Sequence, residues 1–261
     1  MTMALSDFID FSSCPVWDPA FTRQCAAGLE SDGVLTLPGF LQDHAIDMLV
    51  AEAEARKQDA YFTASSHNVY LSEPRPDLDA EHIYNRQITS SKGCITTDQV
   101  PEQSGLKVIY SAPEFWQFIA TIVGRPTLYE YADPLSSINV HYADEGQELG
   151  WHFDNSEFAI TLLLQASHSG GQFQYVRDLR DATAGEMNFT GVAAVLDGET
   201  TVEKLAVTPG TLVLFRGRNS MHRVTPTVGQ KTRILVVFAF NTKPGISLSE
   251  AARMTFFGRL G

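Results

Sequence analysis

Short apolar segments separated by turn residues fill the chain from Pro126 onward, and this pattern limits the possible folds more than any other feature. The segments with β-type composition are residues 127–131, 137–142, 158–165, 172–177, 204–207, 211–215, 220–226 and 232–241. Turn residues, such as Asp144-Glu145-Gly146 and Pro209-Gly210, lie between them. About eight strands without helices of βαβ length between them predict an antiparallel barrel or jelly roll rather than a parallel sheet.

The first half of the chain predicts a mixture of helices with one strand. The predicted elements are a helix from the capping pair Asp18-Pro19 to about residue 31, a strand at 33–40, a helix at 42–59 and a helix that begins at Ser111-Ala112-Pro113. Residues 60–108 are less regular. The whole chain is therefore expected to be mainly β, with helices that buttress the β core.

The sequence predicts a single domain over residues 1–261, because all-β units of this length usually keep one core. The β core is expected to span residues 126–242. Helical and lid elements in residues 1–125 precede it, and a C-terminal extension at residues 243–261 follows. Neither an internal repeat nor an obvious linker divides the chain.

Charge and cysteine content exclude several classes of function. The formal net charge is -12 and the isoelectric point is near 4.9, so the average surface repels nucleic acid and anionic lipid. The three cysteines form no C-x-x-C pair and no zinc-ligand spacing. The sequence also lacks the pattern of a signal peptide and any apolar run that could span a bilayer. We therefore expect a cytoplasmic protein that binds neither nucleic acid nor membranes.

The segment Trp151-His152-Phe153-Asp154 places an imidazole and a carboxylate two residues apart. On extended backbone, side chains two residues apart project from the same face, so this pair is suited to a shared metal ion. Taken alone, the pair is equally compatible with a surface ion pair. Further ligands are needed to decide between the two.

His222 and Arg233 supply further evidence, because they lie in consecutive β-type segments. If residues 226–229 form the turn of a hairpin, Thr225 pairs with Gln230 and His222 lies directly opposite Arg233. A shift of one residue in this register would turn Arg233 to the other face of the sheet. In that case Arg233 would be a surface arginine on an edge strand.

Two histidines and one carboxylate leave three adjacent positions open on an octahedral ion, an arrangement associated with non-heme iron(II) oxygenases. Zinc hydrolases use a similar ligand set and need fewer open positions. The arginine distinguishes the two classes, since 2-oxoglutarate chelates iron at one end and needs a planar, bidentate cation for its distal carboxylate. Arg233 is the candidate for this role. The ligand set therefore favours an oxygenase.

This combination resembles the signature of the Fe(II)- and 2-oxoglutarate-dependent oxygenases. It consists of His152-x-Asp154, His222 and an arginine eleven residues later, and the resemblance covers about residues 126–242. It implies a double-stranded β-helix of jelly-roll or cupin-like type, iron held by His152, Asp154 and His222, 2-oxoglutarate held by Arg233, and O2 as oxidant.

Within that superfamily, the block at residues 151–158 looks most like small enzymes that act on free amino acids, the radical lysine halogenases and their hydroxylase relatives. Halogenases of this group replace the metal carboxylate with a small residue. Because this chain keeps Asp154, the resemblance implies hydroxylation of a free L-amino acid, lysine or another polar one, with release of succinate and CO2.

Two residues are candidates for binding the substrate. Arg86 lies in an irregular segment that could fold over the barrel mouth as a lid, where a guanidinium would bind a carboxylate. Asn155 follows a metal ligand directly. The alternatives are a solvated arginine and an asparagine that stabilises a turn.

Other functions stay open, because the motif identifies iron and co-substrate rather than substrate. The chain could be an oxygenase that acts on another small metabolite or on a protein side chain, a metal-binding β-barrel module without catalysis, or a zinc hydrolase with a general base beside the metal. The sequence does not indicate an oligomeric state.

Overall fold

The computed structural model describes residues 3–261 of the chain, and within them the strands outnumber the helices. The strands are β1 (Val34–Leu37), β2 (Tyr61–His67), β3 (Ile88–Ile95), β4 (Ile138–Ala143), β5 (Leu149–His152), β6 (Ala159–Gln165), β7 (Ser169–Gly170), β8 (Phe173–Val176), β9 (Glu203–Leu205), β10 (Leu212–Phe215), β11 (Met221–Val224), β12 (Thr227–Val228) and β13 (Arg233–Phe238). The α-helices are α1 (Pro19–Asp32), α2 (Asp43–Arg56), α3 (Gly105–Ser111), α4 (Pro113–Ile122), α5 (Phe189–Leu196) and α6 (Glu250–Phe257). Short 3-10 turns lie at Leu5–Asp7, Lys57–Asp59 and Thr97–Gln99.

The strands form two main antiparallel sheets. A seven-stranded sheet has the order β1-β10-β6-β13-β4-β3-β2, and a four-stranded sheet has the order β5-β11-β8-β9. Strands β7 and β12 pair in a separate two-stranded ribbon. Residues of both main sheets line one internal cavity. This arrangement confirms the predicted jelly roll with buttressing helices.

The N-terminal helices pack against the seven-stranded sheet because each has one apolar face. Helix α1 begins where the Asp18 carboxylate accepts a hydrogen bond from the Ala20 N–H, and it ends at Gly33, whose φ of 71° suits a helix C-terminus. Helix α4 buries Phe115 and Phe118 in the same core as the inner strands. These predicted helices are confirmed.

The first half of the chain contributes more β-structure than its sequence pattern indicated. Strands β2 and β3 lie in the segment 60–108 and pair along seven residues, and they extend the seven-stranded sheet at one edge. With β1, three of the seven strands precede residue 126. The description of residues 1–125 as helical and lid elements is therefore incomplete. The single domain over residues 1–261 stays a prediction. Residues 1 and 2 of that range lie outside the described residues.

The predicted strand at residues 127–131 does not form, because β13 ends before it could pair along this segment. Tyr129 makes a single β-bridge with Asn241, which lies beyond the end of β13. No helix in the described residues, 3–261, is both long and apolar enough to cross a membrane.

Candidate metal centre and its cavity

Three side chains with metal-ligating atoms converge at one end of the four-stranded sheet. His152 ends β5, His222 lies in β11, and the two are direct cross-strand partners with ring centroids 4.2 Å apart. Asp154 follows two residues after His152, and its Oδ1 lies 3.7 Å from His152 Nε2 and 3.6 Å from His222 Nε2. One ligand atom from each residue lies within 4.8 Å of the other two. This spacing suits a single metal ion.

Both histidine rings are fixed by hydrogen bonds to main-chain carbonyls. His152 Nδ1 lies 2.8 Å from the Gly150 carbonyl oxygen, and His222 Nδ1 lies 3.0 Å from the Ser220 carbonyl oxygen. Because a carbonyl only accepts, we assign the proton of each ring to Nδ1. The Nε2 lone pairs then point toward Asp154, as coordination of a metal through Nε2 requires.

The main chain of Asp154 is anchored on both sides. The Phe153 N–H donates to the Val69 carbonyl at 2.8 Å, and the Asp154 N–H donates to the Gly217 carbonyl at 3.0 Å. Asp154 Oδ2 is buried and has no hydrogen-bond partner among residues 3–261. A buried carboxylate oxygen without a partner is costly, so this atom favours a bound cation.

The protonation states suit metal binding. Burial, reinforced by the neighbouring His222, lowers the pKa of His152 to about 3, so its ring is neutral at pH 7. Burial alone would raise the pKa of Asp154, but the facing His222 and His152 rings outweigh it and the pKa is lowered. A neutral imidazole and an ionised carboxylate are the forms that bind a metal.

The metal centre opens into a cavity of about 330 Å³ between the two main sheets. Asp154 is the only acidic residue in the described wall of this cavity, whereas Arg233 and Lys92 are basic residues. One side of the wall is apolar. Its residues include Ile160, Leu205, Val207, Val213, Phe215, Leu235 and Val237. The cavity therefore combines a metal site, an excess of basic groups and an apolar side.

The predicted register between His222 and Arg233 is wrong. Arg233 begins β13, which pairs with β4 and β6 in the seven-stranded sheet, and its partner is Ala143. His222 pairs instead with His152 and Tyr175 in the other sheet. The two strands do not form a hairpin because β11 already has a partner at each edge and the chain crosses between the sheets after β12. Arg233 reaches the same cavity from the opposite wall.

The guanidinium of Arg233 has no protein carboxylate to neutralise it. No acidic group among residues 3–261 forms an ion pair with this side chain. Burial lowers the pKa of Arg233 to about 10, which leaves it a cation at pH 7. Gly171 makes room for it, since a β-carbon there would lie 2.8 Å from Arg233 Cδ. An uncompensated cation in a cavity favours an anionic ligand.

The two predicted substrate-binding residues lie outside the described cavity wall. Arg86 Nη1 donates to Asp197 Oδ1 at 2.6 Å, and the two side chains are 42% and 49% exposed. Asn155 is exposed on the turn after the metal motif. These positions agree with the alternatives, a solvated arginine for Arg86 and a residue of a turn for Asn155.

A second basic residue of the cavity, Lys92, was not predicted from the sequence, and its neighbour His141 had no assigned role. Lys92 Nζ lies 3.1 Å from His141 Nε2 and 3.3 Å from His141 Nδ1. Both residues line the cavity. The alternation Thr63-x-Ser65-x-His67 has the period of a strand with one polar face, but it lies on the neighbouring strand β2 and does not identify Lys92 itself.

A family model and several solved structures resemble this chain. The family model described as Halogenase D matches residues 18–255. Comparison with curated proteins gives no match.

Three solved structures have a similar fold. An oxidoreductase of the 2OG-Fe(II) oxygenase family from Burkholderia pseudomallei is 13% identical, with a TM-score of 0.54 over 87% of this chain and 93% of that one. The non-heme alpha ketoglutarate dependent epimerase SnoN from nogalamycin biosynthesis is 14% identical, with a TM-score of 0.58 over 84% and 82%. A prolyl-4-hydroxylase from Pseudomonas putida is 15% identical, with a TM-score of 0.51 over 84% and 98%. At these identities the similarity establishes the fold, a double-stranded β-helix.

Proposed function

Since the chain belongs to the family described as Halogenase D, we propose that it is an Fe(II)- and 2-oxoglutarate-dependent oxygenase that hydroxylates an unactivated C–H bond of a small molecule. The proposed iron ligands are His152, Asp154 and His222. The proposed partner of the distal carboxylate of 2-oxoglutarate is Arg233.

One observation supports this proposal above the others: the cavity contains a candidate metal centre on one wall and an uncompensated guanidinium on the other. A zinc hydrolase needs the metal centre but has no need of the unpaired guanidinium. A metal-binding module without catalysis likewise gives no reason to bury Arg233 beside the metal centre. An oxoacid that chelates the metal at one end and carries a carboxylate at the other would use both.

When bound, iron and 2-oxoglutarate supply the oxidation: the oxoacid is converted to succinate and CO2, one oxygen atom of O2 enters succinate, and the other enters the substrate C–H bond as a hydroxyl group. The protein sets the geometry. His152 and His222 offer fixed Nε2 atoms, Asp154 offers a buried carboxylate, and Arg233 orients the co-substrate. The apolar side of the cavity excludes water from the reacting carbon.

Asp154 favours hydroxylation over halogenation, although the matching family is described as Halogenase D. In the lysine halogenases that the sequence resembles, a small residue replaces the metal carboxylate and leaves room for chloride. Here the Asp154 carboxylate lies within 4 Å of both histidine Nε2 atoms and fills that position. The proposed reaction is therefore transfer of oxygen.

The proposed substrate is a free L-amino acid. A cavity of about 330 Å³ suits a molecule of that size together with 2-oxoglutarate. An oxygenase that acts on another small metabolite or on a protein side chain is the alternative. The compound that stimulates turnover distinguishes an amino-acid hydroxylase from this alternative.

The test measures succinate formation by anaerobically iron-loaded protein that is then given 2-oxoglutarate, O2 and a panel of free amino acids. His152→Ala serves as the inactive control. We expect one amino acid to stimulate succinate formation and to gain about 16 mass units, as one added oxygen requires. Arg233→Gln should weaken 2-oxoglutarate binding strongly, and Arg233→Lys less so, because lysine keeps the charge but loses the bidentate geometry.

Each result has a separate meaning. Consumption of 2-oxoglutarate without stimulation by any amino acid would leave the oxygenase standing and overturn the substrate class. Iron-loaded protein that neither binds nor consumes 2-oxoglutarate would overturn the whole proposal.

A further inference from the structure

The wall of the cavity formed by β2, β3 and β4 carries a group of polar side chains that the proposed reaction does not use. We call Lys92, His141, Thr63 and Ser65 the Lys92 cluster. All four residues line the cavity that contains the metal centre. The cluster lies on the seven-stranded sheet, two strands away from Arg233.

The strand register places these residues on one face. Thr63 of β2 is the cross-strand partner of Lys92, and Ser65 is the partner of Ser90. Cys94 of β3 is the partner of His141. Because cross-strand partners and residues two apart project from the same side, the four side chains of the cluster share the cavity face.

Burial lowers the pKa of Lys92, and no carboxylate of the described residues stabilises its ammonium form, so an anionic ligand would favour that form. Among residues 3–261 its ammonium forms no ion pair, and its polar contact is the ring of His141. The ring of Phe256 lies 5.9 Å away. Burial lowers the pKa of His141 well below its ordinary value, so the ring is neutral and accepts a hydrogen bond from Lys92. A neutral imidazole orients the ammonium without cancelling its charge.

The two hydroxyl groups of the cluster are also available. Thr63 and Ser65 have no hydrogen-bond partner for their side chains in the described residues, whereas the nearby Ser90 Oγ is bonded to His67 and to the Gly150 N–H. An ammonium and two hydroxyls can all donate, and Asp154 of the candidate metal centre is the only carboxylate in the described wall of the cavity. A ligand group with several acceptor oxygens and a negative charge would satisfy all three.

We propose that the Lys92 cluster is a second anion-binding subsite, which holds a carboxylate of the substrate while Arg233 holds 2-oxoglutarate. The inference rests on the proposed function, since it assigns Arg233 to the co-substrate. Strands β3 and β13 are separated by β4, so the backbones at Lys92 and Arg233 are about 10 Å apart and can serve different carboxylates. A substrate ammonium group, such as the side-chain amine of lysine, would find only one carboxylate in the described wall of the whole cavity, that of the proposed metal ligand Asp154.

The test measures binding directly. Anaerobic, iron-loaded protein is first titrated with 2-oxoglutarate by calorimetry, and the saturated complex is then titrated with L-glutamate, L-glutamine and L-lysine. These probes share the α-amino acid group and differ in side-chain charge. The variants are Lys92→Gln, Lys92→Arg and Thr63→Val, with the exposed Lys231→Gln as matched control.

We expect Lys92→Gln to weaken binding of the tightest probe at least about tenfold, as loss of a charge-assisted contact predicts, and to leave 2-oxoglutarate affinity within about twofold. Lys92→Arg should retain part of the affinity, Thr63→Val should lose less than Lys92→Gln, and Lys231→Gln should match the wild type. Loss for L-glutamate alone would place its side-chain carboxylate at Lys92. Equal loss for all three probes would place the α-carboxylate there.

Three results would overturn the inference: unchanged affinities in Lys92→Gln, weaker 2-oxoglutarate binding in place of weaker probe binding, or failure of all three probes to bind the wild type. The proposed function fails separately, if the wild type does not bind 2-oxoglutarate at all. Thermal unfolding of each variant shows whether a loss of binding reflects a loss of fold.

Discussion

A β-carbon on Gly217 would lie 1.9 Å from Asp154 Oδ2, so the loop between β10 and β11 packs directly against the carboxylate of the candidate metal centre. The same hypothetical atom would lie 2.9 Å from His222 Cε1. The Gly217 carbonyl meanwhile accepts a hydrogen bond from the Asp154 N–H. The Gly217 backbone thus positions Asp154 through a hydrogen bond. Because Gly217 has no side chain, it also leaves room for the Asp154 carboxylate.

Gly217→Ala should lower iron affinity at least about tenfold, because the added methyl group must displace the Asp154 carboxylate or the His222 ring. Iron content after equilibration with a competing chelator measures the effect. Gly28→Ala is the matched control, since a β-carbon in that helix would meet only Leu35, at 3.9 Å. Wild-type iron affinity in Gly217→Ala would contradict the assignment of Asp154 as a ligand.

Asp154→Gly should abolish hydroxylation, since it removes the proposed third protein ligand and leaves a vacant position beside both histidines. If the resemblance to lysine halogenases extends to chemistry, added chloride should then yield a chlorinated product, which mass spectrometry distinguishes from a hydroxylated one. Asp154→Glu keeps the carboxylate and is the control for charge. Undiminished hydroxylation by Asp154→Gly would disprove the proposed ligand set.

Lys92→Met should raise the free energy of unfolding by about 1–3 kcal/mol, because it replaces an amine that has no carboxylate partner among residues 3–261, and whose charged form burial disfavours, with an apolar side chain of similar length. Chemical denaturation measures this change. The same substitution at the exposed Lys231 should stay within about 0.5 kcal/mol. A destabilised Lys92→Met protein would indicate that Lys92 has a structural role instead of being kept for a ligand.

Acid should loosen the C-terminal helix α6 through the pair formed by Asp98 and Arg259. Arg259 donates to both carboxylate oxygens of Asp98, at 2.7 and 2.8 Å. Burial would raise the pKa of Asp98, but the hydrogen bonds from Arg259 and Thr96 outweigh it, so the folded pKa lies below its ordinary value of 3.8. The stabilisation is therefore complete above about pH 3.8 and is lost as the pH falls through the folded pKa.

Hydrogen exchange of α6 measures this effect, with Asp98→Asn as the variant that lacks the charge at every pH. We expect lower protection factors for the α6 amides in Asp98→Asn at pH 7 than in the wild type at pH 7, similar to those of the wild type in acid. Because Phe256 of α6 lines the cavity, looser α6 packing should also weaken ligand binding. Identical exchange in both proteins at pH 7 would mean that other contacts hold α6.

The position of the candidate metal centre could be predicted because its geometry is largely local. His152 and Asp154 are two residues apart at the end of a strand, and the strand period places them together. His222 is far away in sequence, but few histidines lie within β-type segments. Convergence of the three side chains is visible in the structure, while their role as iron ligands stays a prediction.

The pairing of Arg233 could not be predicted, because a turn sequence between two strands does not reveal a change of sheet. Thr227 and Val228 pair with the β7 residues Gly170 and Ser169, which lie more than fifty residues earlier. That non-local pairing carries the chain away from β11. Lys92 was missed for a related reason: β2 and β3 are rich in serine and threonine, so their sequences have little of the apolar alternation that marks a strand.

The candidate metal centre and the basic residues Lys92 and Arg233 lie on different sheets, so the spacing of the two sheets sets the width of the cavity. Phe173 of the four-stranded sheet and Phe215 of the seven-stranded sheet meet edge to face with ring centroids 5.0 Å apart, so this pair acts as a spacer. The distance between the two sheets therefore limits the length of a molecule that binds the metal at one end and Arg233 at the other. Discrimination between 2-oxo diacids that differ by one methylene should therefore depend on these two phenylalanines, neither of which carries a charge.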